Sequence, residues 1–297
     1  MTTNNYIILF VIIFVLILLY INIGKAIFYK YYWNLKVQNI FSYIFVFNEI
    51  FLNKDYKYLD SINLKKLNKN KKEIYFDVGG NNGLYSLYLN NKNKNIEVHV
   101  FEPIEDLYKN IKWNIKHNKK LSNTYFINNF GLGNKNEKLQ INYMPNADGL
   151  STIKNDIEVK KNHIVNGYCH DYNYPIINFI CKSFMSQLLN KNRLKVEKRN
   201  IKLVRFSDYV KEHKIDFIDK IKVDIEGYEL EFLEGINKED FAKIGAFVIE
   251  VENYRSNHTK NILDILQLNN FSYKLSEDKN NKRNNWLMIY ARNNLYK

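Results

Sequence analysis

Three short runs of this sequence combine acids with small residues in an order that could hold and act on a ligand. The first is Asp77-Val-Gly-Gly-Asn-Asn-Gly83, the second Val100-Phe-Glu-Pro103, and the third Lys222-Val-Asp-Ile-Glu-Gly-Tyr-Glu229. Each follows or closes an apolar run of strand length: Ile74–Val78, Ile96–Phe101 and Ile218–Val223. Glycines between a strand and a helix let the backbone approach a ligand, and the first N–H groups of the helix face it. A carboxylate at the end of the second strand, Glu102, is placed to accept hydrogen bonds from both hydroxyls of a ribose. These features suggest a nucleoside. Asp224 and Glu226 end another strand and could take a proton from a reacting group.

The identity of the nucleoside turns on the glycine spacing. A dinucleotide loop reads G-x-G-x-x-G. Aligned on Gly80 and Gly83, its first glycine falls at Val78. The carboxylate of Asp77 would also repel a pyrophosphate, whereas it would attract an ammonium or a sulfonium. The charges therefore favour S-adenosylmethionine. The candidate cofactor residues are Asp77, Gly79, Gly80, Asn81, Gly83 and Glu102, with Asn129 for the adenine edge. For the general base the candidates are Asp224 and Glu226, followed by Glu250 and His258. Glu229 is a weaker one, because the helix dipole alone favours acids at a helix start. Cys169, His170, His163 and Cys181 match no standard metal spacing, so no metal is assigned.

The elements that must position these residues alternate. Further strand-like runs are Thr124–Phe130 and Ala246–Val251, with helical patterns at about 84–90, 104–117 and 258–268 and another after Asp224. Strand–helix alternation predicts an α/β fold with a doubly wound, mostly parallel sheet. Phe271–Leu275 and Trp286–Ala291 predict a terminal antiparallel hairpin. Residues 144–200 break the alternation and read as an insertion, a lid or substrate cap. The organisation expected is a short tail (1–5), an apolar segment (6–23), a linker and helical lead-in (24–72) that is mostly helical and polar over 34–70, and a catalytic domain (73–297).

Tyr6 to Ile23 carries no charge. Eighteen helical residues span ~27 Å, close to the hydrocarbon core of a bilayer. The run is apolar all round, no basic residue precedes it and no Ala-x-Ala site follows, so it reads as an uncleaved transmembrane anchor. Lys25 and Lys30 just beyond it place the body on the cytoplasmic side. Tyr29, Tyr31, Tyr32 and Trp33 suit the headgroup layer. The net charge of +13 could help hold the body against anionic lipid. Nucleic acid is not expected as a partner: the lysines are dispersed among asparagines and no binding motif accompanies them. Two cysteines make no disulfide framework.

The three runs together, Asp77-Val-Gly-Gly-Asn-Asn-Gly, Phe101-Glu-Pro and Lys222-Val-Asp-Ile-Glu-Gly-Tyr-Glu, resemble the FkbM family of S-adenosylmethionine-dependent methyltransferases. Phe130-Gly-Leu-Gly-Asn134, Gly149-Leu-Ser-Thr152 and Phe206-Ser-Asp-Tyr209 resemble its weaker segments, in order. The resemblance covers about residues 73–252. It implies a seven-stranded sheet whose final strand is antiparallel, and O-methylation of a sugar or other small-molecule, glycan or lipid-linked hydroxyl. Gly80 and Gly131 stand where the family usually has Ala, and Asn134 where it often has Asp. The anchor and the long insertion lie outside the pattern. Two competing readings are a catalytically silent membrane-tethered scaffold and an anchored glycan-modifying transferase. The latter would need an Asp-x-Asp segment, which the chain lacks.

Overall fold

The computed structural model describes residues 23–53, 56–62, 64, 72–92, 95–120, 122–154, 195–252, 257–276 and 286–296. Residues 6–22 of the expected anchor, and most of the expected insertion with His163, Cys169, His170 and Cys181, lie outside them. Among the described residues no helix is long and apolar enough to cross a membrane.

The parallel alternation expected from the sequence is present. β1 (Glu73–Val78) is followed by α4 (Leu84–Lys92), β2 (Ile96–Phe101), α5 (Glu105–Asn118) and β3 (Thr124–Asn128). Later come α6 (Phe206–Glu212), β7 (Ile218–Val223), α7 (Glu229–Glu234), α8 (Lys238–Phe241) and β8 (Ile244–Glu252). The chain then makes α9 (Asn257–Leu268), β9 (Phe271–Leu275) and β10 (Trp286–Asn293). These strands form one seven-stranded sheet in the order β3-β2-β1-β7-β8-β10-β9. β10 runs antiparallel to both β8 and β9, as the predicted hairpin requires. The order reverses between β1 and β7, and ligands bind at such a switch point beyond the carboxyl ends of the strands.

β4 (Gly131–Gly133), β5 (Glu137–Tyr143) and β6 (Glu197–Arg205) form a separate three-stranded sheet. β5 and β6 pair antiparallel, Tyr143 opposite Glu197, so the ends of the expected insertion sit side by side. A segment whose ends are adjacent can be long without disturbing the sheet that carries it.

The described part of residues 34–70 is mostly helical as expected, but the reading of it as a polar link is corrected. Residues 23–32 form α1, followed by α2 (Ile40–Phe47), a π-helical turn (Asn48–Asn53) and α3 (Lys57–Ser61). Leu35, Tyr43, Phe47, Ile50, Tyr56, Leu59 and Leu64 are buried in one cluster with Tyr75, Val98, Ala246, Val248 and Met288 of the sheet. The opposite face, through Phe76, Ile221, Phe247 and Ile289, is covered by α6 to α9. A parallel sheet must be covered on both faces. On the first face α4 and α5 serve only part of its width, and the N-terminal layer covers the rest. Leu64 packs straight onto Gly245, where an added Cβ would come within 2.4 Å of it.

Candidate active site

The glycine loop leaves β1 under tight backbone constraint. Gly79 has φ +84°, and a Cβ on it would lie 1.8 Å from the carbonyl oxygen of Asp224. Its N–H and that of Gly80 both donate to the Phe101 carbonyl. Gly80 has no room for a side chain because Val100 and Ile111 close over it at 2.6 and 3.0 Å. Gly83, at φ +80°, opens α4. The glycines thus bring the ends of β1, β2 and β7 together before any ligand is considered.

Glu102 lies at the mouth of this loop and is 4% exposed. One carboxylate oxygen accepts the Asn81 N–H at 2.8 Å and the other the Ile104 N–H at 2.9 Å. Burial pushes its carboxyl up to about 8 despite those two donors. Asn81 holds a left-handed φ of 48° and turns its side-chain oxygen toward Asn82. Asn129 is exposed and donates to the carbonyls of Glu102 and Pro103. The structure therefore gathers Asn81, Glu102 and Asn129 into one hydrogen-bonded unit.

Asp77 is wholly buried. Ser86 Oγ donates to its Oδ2 at 2.8 Å, and Lys222 Nζ stands 3.5 Å from its Oδ1. The reasoning that an open Asp77 carboxylate attracts a cation is corrected by this arrangement, because a lysine of the chain already stands there. Strand periodicity is the cause: residues two apart in β7 share a face, so Lys222 projects on the side of Asp77, its partner across the β1–β7 ladder. Burial pushes the Asp77 carboxyl above the usual range, against the pull of Lys222 and Ser86.

Lys222 itself was missed as a site residue. Its Nζ donates to the Gly79 carbonyl at 2.7 Å and pairs with Asp224 Oδ2 at 3.2 Å. Burial would lower its pKa, but the carboxylates of Asp224 and Asp77 outweigh that and hold it near 12. The signal was in the sequence: a lysine inside an otherwise buried strand needs a counter-charge.

Tyr56 was also missed, and no spacing pointed to it. Its hydroxyl lies 3.1 Å from Glu250 Oε2 and 3.3 Å from Asp224 Oδ2. It joins two of the base candidates, from the ends of β7 and β8, through a residue of the N-terminal layer. Glu226 stands in the turn after Asp224 with φ +55°, and its carbonyl accepts the Thr152 hydroxyl at 2.9 Å. The Gly149–Thr152 patch therefore buttresses that turn. Glu229 and His258 fall into a separate pair at 3.3 Å. Glu229 is wholly buried and also accepts the Gly227 N–H, which is the work of a turn-stabilising residue.

With this geometry in hand, three comparisons with known proteins bear on the chain. A family model described as the methyltransferase FkbM domain matches residues 77–275, more than half of the chain. Methyltransferase sdnD of Sordaria araneosa is 27% identical over 214 residues, which are 69% of this chain and 73% of that protein. Methyltransferase 1 of Beauveria bassiana is 25% identical over 177 residues, 59% of this chain and 63% of that one. An rRNA methylase structure from Streptococcus thermophilus overlays 81% of this chain and 94% of its own at 9% identity, with a TM-score of 0.37. Tyr56 and the layer that carries it precede the matched range.

The cofactor is S-adenosylmethionine, and the residues present fit it. Each Glu102 oxygen has used one acceptor position of about two, which leaves capacity for hydroxyl donors. Asp148 Oδ1 is buried without a hydrogen-bond partner among the described residues, whereas Asp77 Oδ1 faces the Lys222 ammonium. Asp148 is tied to the loop by Asn82 Nδ2 at 2.8 Å. Spare acceptor capacity on Glu102 and Asp148 around a glycine loop suits a polyhydroxylated molecule.

Proposed function

Because the chain belongs to the FkbM methyltransferase family and is an S-adenosylmethionine-dependent methyltransferase, we propose that its acceptor is a hydroxyl, on a sugar or another small, glycan or lipid-linked molecule. The observation that carries this reading is the group of carboxylates around Lys222 beside the glycine loop, at the ends of β1, β7 and β8. When bound, the cofactor supplies an activated methyl group on a sulfonium. The acceptor oxygen must then shed a proton, which calls for a positioned base.

In this reading Gly79, Gly80, Asn81 and Gly83 shape the cofactor loop, Glu102 holds the ribose, Asn129 flanks the adenine and Asp77 faces the amino-acid portion. Asp224 and Glu226 take the acceptor's proton. Lys222 keeps the Asp224 carboxylate oriented, and Tyr56 holds it in register with Glu250. Much of the acceleration comes from positioning acceptor and donor together.

The reading includes a location. Residues 6–23 act as a single anchor, and Lys25 and Lys30 beyond it keep the catalytic body on the cytoplasmic side. Isothermal titration with S-adenosylmethionine tests the cofactor loop: binding unchanged in both Asp77→Ala and Glu102→Ala would overturn the assignments. Mass spectrometry of lipid, glycan and protein extracts, with and without the chain, tests the acceptor by seeking a gain of ~14 Da on oxygen, the one-carbon group the cofactor donates. A methyl group found only on nitrogen or carbon would refute the hydroxyl assignment.

A further inference from the structure

The described surface carries one concentrated apolar region. Of the thirteen large hydrophobic side chains exposed among the described residues, eight belong to α1 and α2. Phe28 is 60% exposed, Tyr31 74%, Tyr32 72% and Phe41 63%. The other five, such as Phe126 and Leu268, are scattered along the chain. Single exposed hydrophobics are ordinary, whereas a contiguous set marks an interaction surface.

Both helices are fixed to the protein by their inner faces. Ala26 is fully buried, and its carbonyl accepts the Tyr43 hydroxyl at 2.8 Å, bridging α1 to α2. Tyr29 stacks on Phe47, and Trp33 packs on Phe51. These contacts correct part of the earlier expectation, since Tyr29 and Trp33 face the core rather than a headgroup layer. In α2, Tyr43 and Phe47 point inward, so helical geometry turns Phe41 and Phe45 outward. The outward faces of two neighbouring helices are aromatic, with Lys25 and Lys30 among them.

We infer that the outward faces of α1 and α2 form one surface that lies on the bilayer, seated in the boundary between headgroups and acyl chains. This rests on the anchor reading given above. Three observations choose lipid over a protein partner. The apolar run from Tyr6 to Ile23 is contiguous in sequence with α1, so an anchor there would hold α1 close to the bilayer. The exposed set is rich in aromatic rings beside lysines, the composition that settles at membrane–water interfaces. The net charge of +13 adds attraction to anionic headgroups.

The surface also has a mechanical link to the candidate active site. Between α1 and α2, the Gln38 N–H donates to Asn82 Oδ1 in the glycine loop at 3.2 Å. Further along the same layer Tyr56 reaches Asp224 and Glu250. A membrane contact that orients α1 and α2 therefore also orients the site relative to the bilayer plane.

The test uses the full chain carrying Cys169→Ser and Cys181→Ser, with single cysteines introduced as Phe28→Cys, Phe41→Cys or Leu268→Cys. Each is labelled with a polarity-sensitive fluorophore and reconstituted in phosphatidylcholine–phosphatidylglycerol vesicles. Lipids bearing a nitroxide high on the acyl chain serve as quencher. An interfacial helix sits about 5–10 Å into the boundary region, so labels at 28 and 41 are expected to be quenched several-fold more than the label at 268. If the chain floats with vesicles yet position 41 is quenched no more than 268, the surface inference fails while the anchor reading stands. If the chain does not float with vesicles, both fail. Label-to-label energy transfer at position 41 without lipid quenching would assign the face to a second copy of the chain and overturn the proposal. Phe45→Cys repeats the measurement should Phe41→Cys fold poorly.

Discussion

Lys222 and Asp77 form a buried ion pair, 3.5 Å apart, with side-chain exposures of 5% and 0%. They come from adjacent strands, and the Lys222 ammonium also binds the Gly79 carbonyl. The site is thus held by a charge that keeps three acceptors together. Removing it leaves the carboxylates facing one another with no cation between them.

That relationship predicts a strongly asymmetric mutational response. Lys222→Met should destabilise the protein by roughly 3–5 kcal/mol, the cost of stranding a buried charge. The double variant Lys222→Met/Asp77→Asn should recover part of that loss, because neither charge is then uncompensated. Urea unfolding of the two single variants and the double variant measures the coupling. Additive effects would show that the two side chains do not depend on one another.

The raised carboxyl of Glu102 gives a pH signature. Its folded value near 8 exceeds the ordinary value of 4.5, so the folded state holds a proton that the unfolded state has released. Stability contributed at this position is then lost as pH rises from about 4.5 to 8. Glu102→Gln should flatten that part of the stability–pH curve, as read by thermal unfolding. Ribose hydroxyls donating to Glu102 would favour its ionised form, so cofactor binding near neutral pH should release a proton. Titration calorimetry in buffers of different ionisation enthalpy detects it.

Tyr56→Phe keeps the ring and removes only the hydroxyl between Asp224 and Glu250. The expected stability loss is about 1 kcal/mol. If the bridge positions the carboxylates for proton transfer, kcat should fall about tenfold or more, since small misplacements of reacting groups are costly. Cofactor affinity should remain near that of the unaltered chain. Loss of cofactor affinity with unchanged kcat would contradict the positioning role.

The glycines separate into those the backbone demands and those it does not. Gly79→Ala places a Cβ 1.8 Å from the Asp224 carbonyl oxygen at φ +84°. The left-handed backbone alone costs roughly 1–2 kcal/mol, and the clash requires β7 to move. Gly149→Ala meets nothing within 4 Å and should leave folding unchanged. Comparing soluble yield and unfolding midpoint of the two variants checks both statements.

Much of this architecture was legible because it is local. Apolar strand runs closed by Gly79, Glu102 and Asp224 announced a parallel sheet with its ligand end. Two strand-like runs, Phe271–Leu275 and Trp286–Ala291, joined by a charged loop announced the antiparallel hairpin. The small sheet of β4, β5 and β6 was not legible, because β6 pairs with strands that precede it by more than fifty residues. The separation of Glu229 and His258 from the carboxylates around Lys222 was equally hidden. Both lie near helix starts, and only packing decides toward which neighbour such side chains turn.

The residues by themselves determined the kind of loop, the acids around it and the family to which they belong, since each depends on short spacings along one strand and its following turn. Tertiary structure alone decided that Lys222 neutralises Asp77, that Tyr56 joins Asp224 to Glu250, and that Leu35, Tyr43, Phe47, Ile50, Tyr56 and Leu59 belong to a layer of the core. Those contacts span 145, 168 and, for the Tyr58–Tyr290 ring pair, 232 positions of sequence. They form because an open sheet leaves one face uncovered, and burying it outweighs the cost of closing so long a loop, which grows only logarithmically with length.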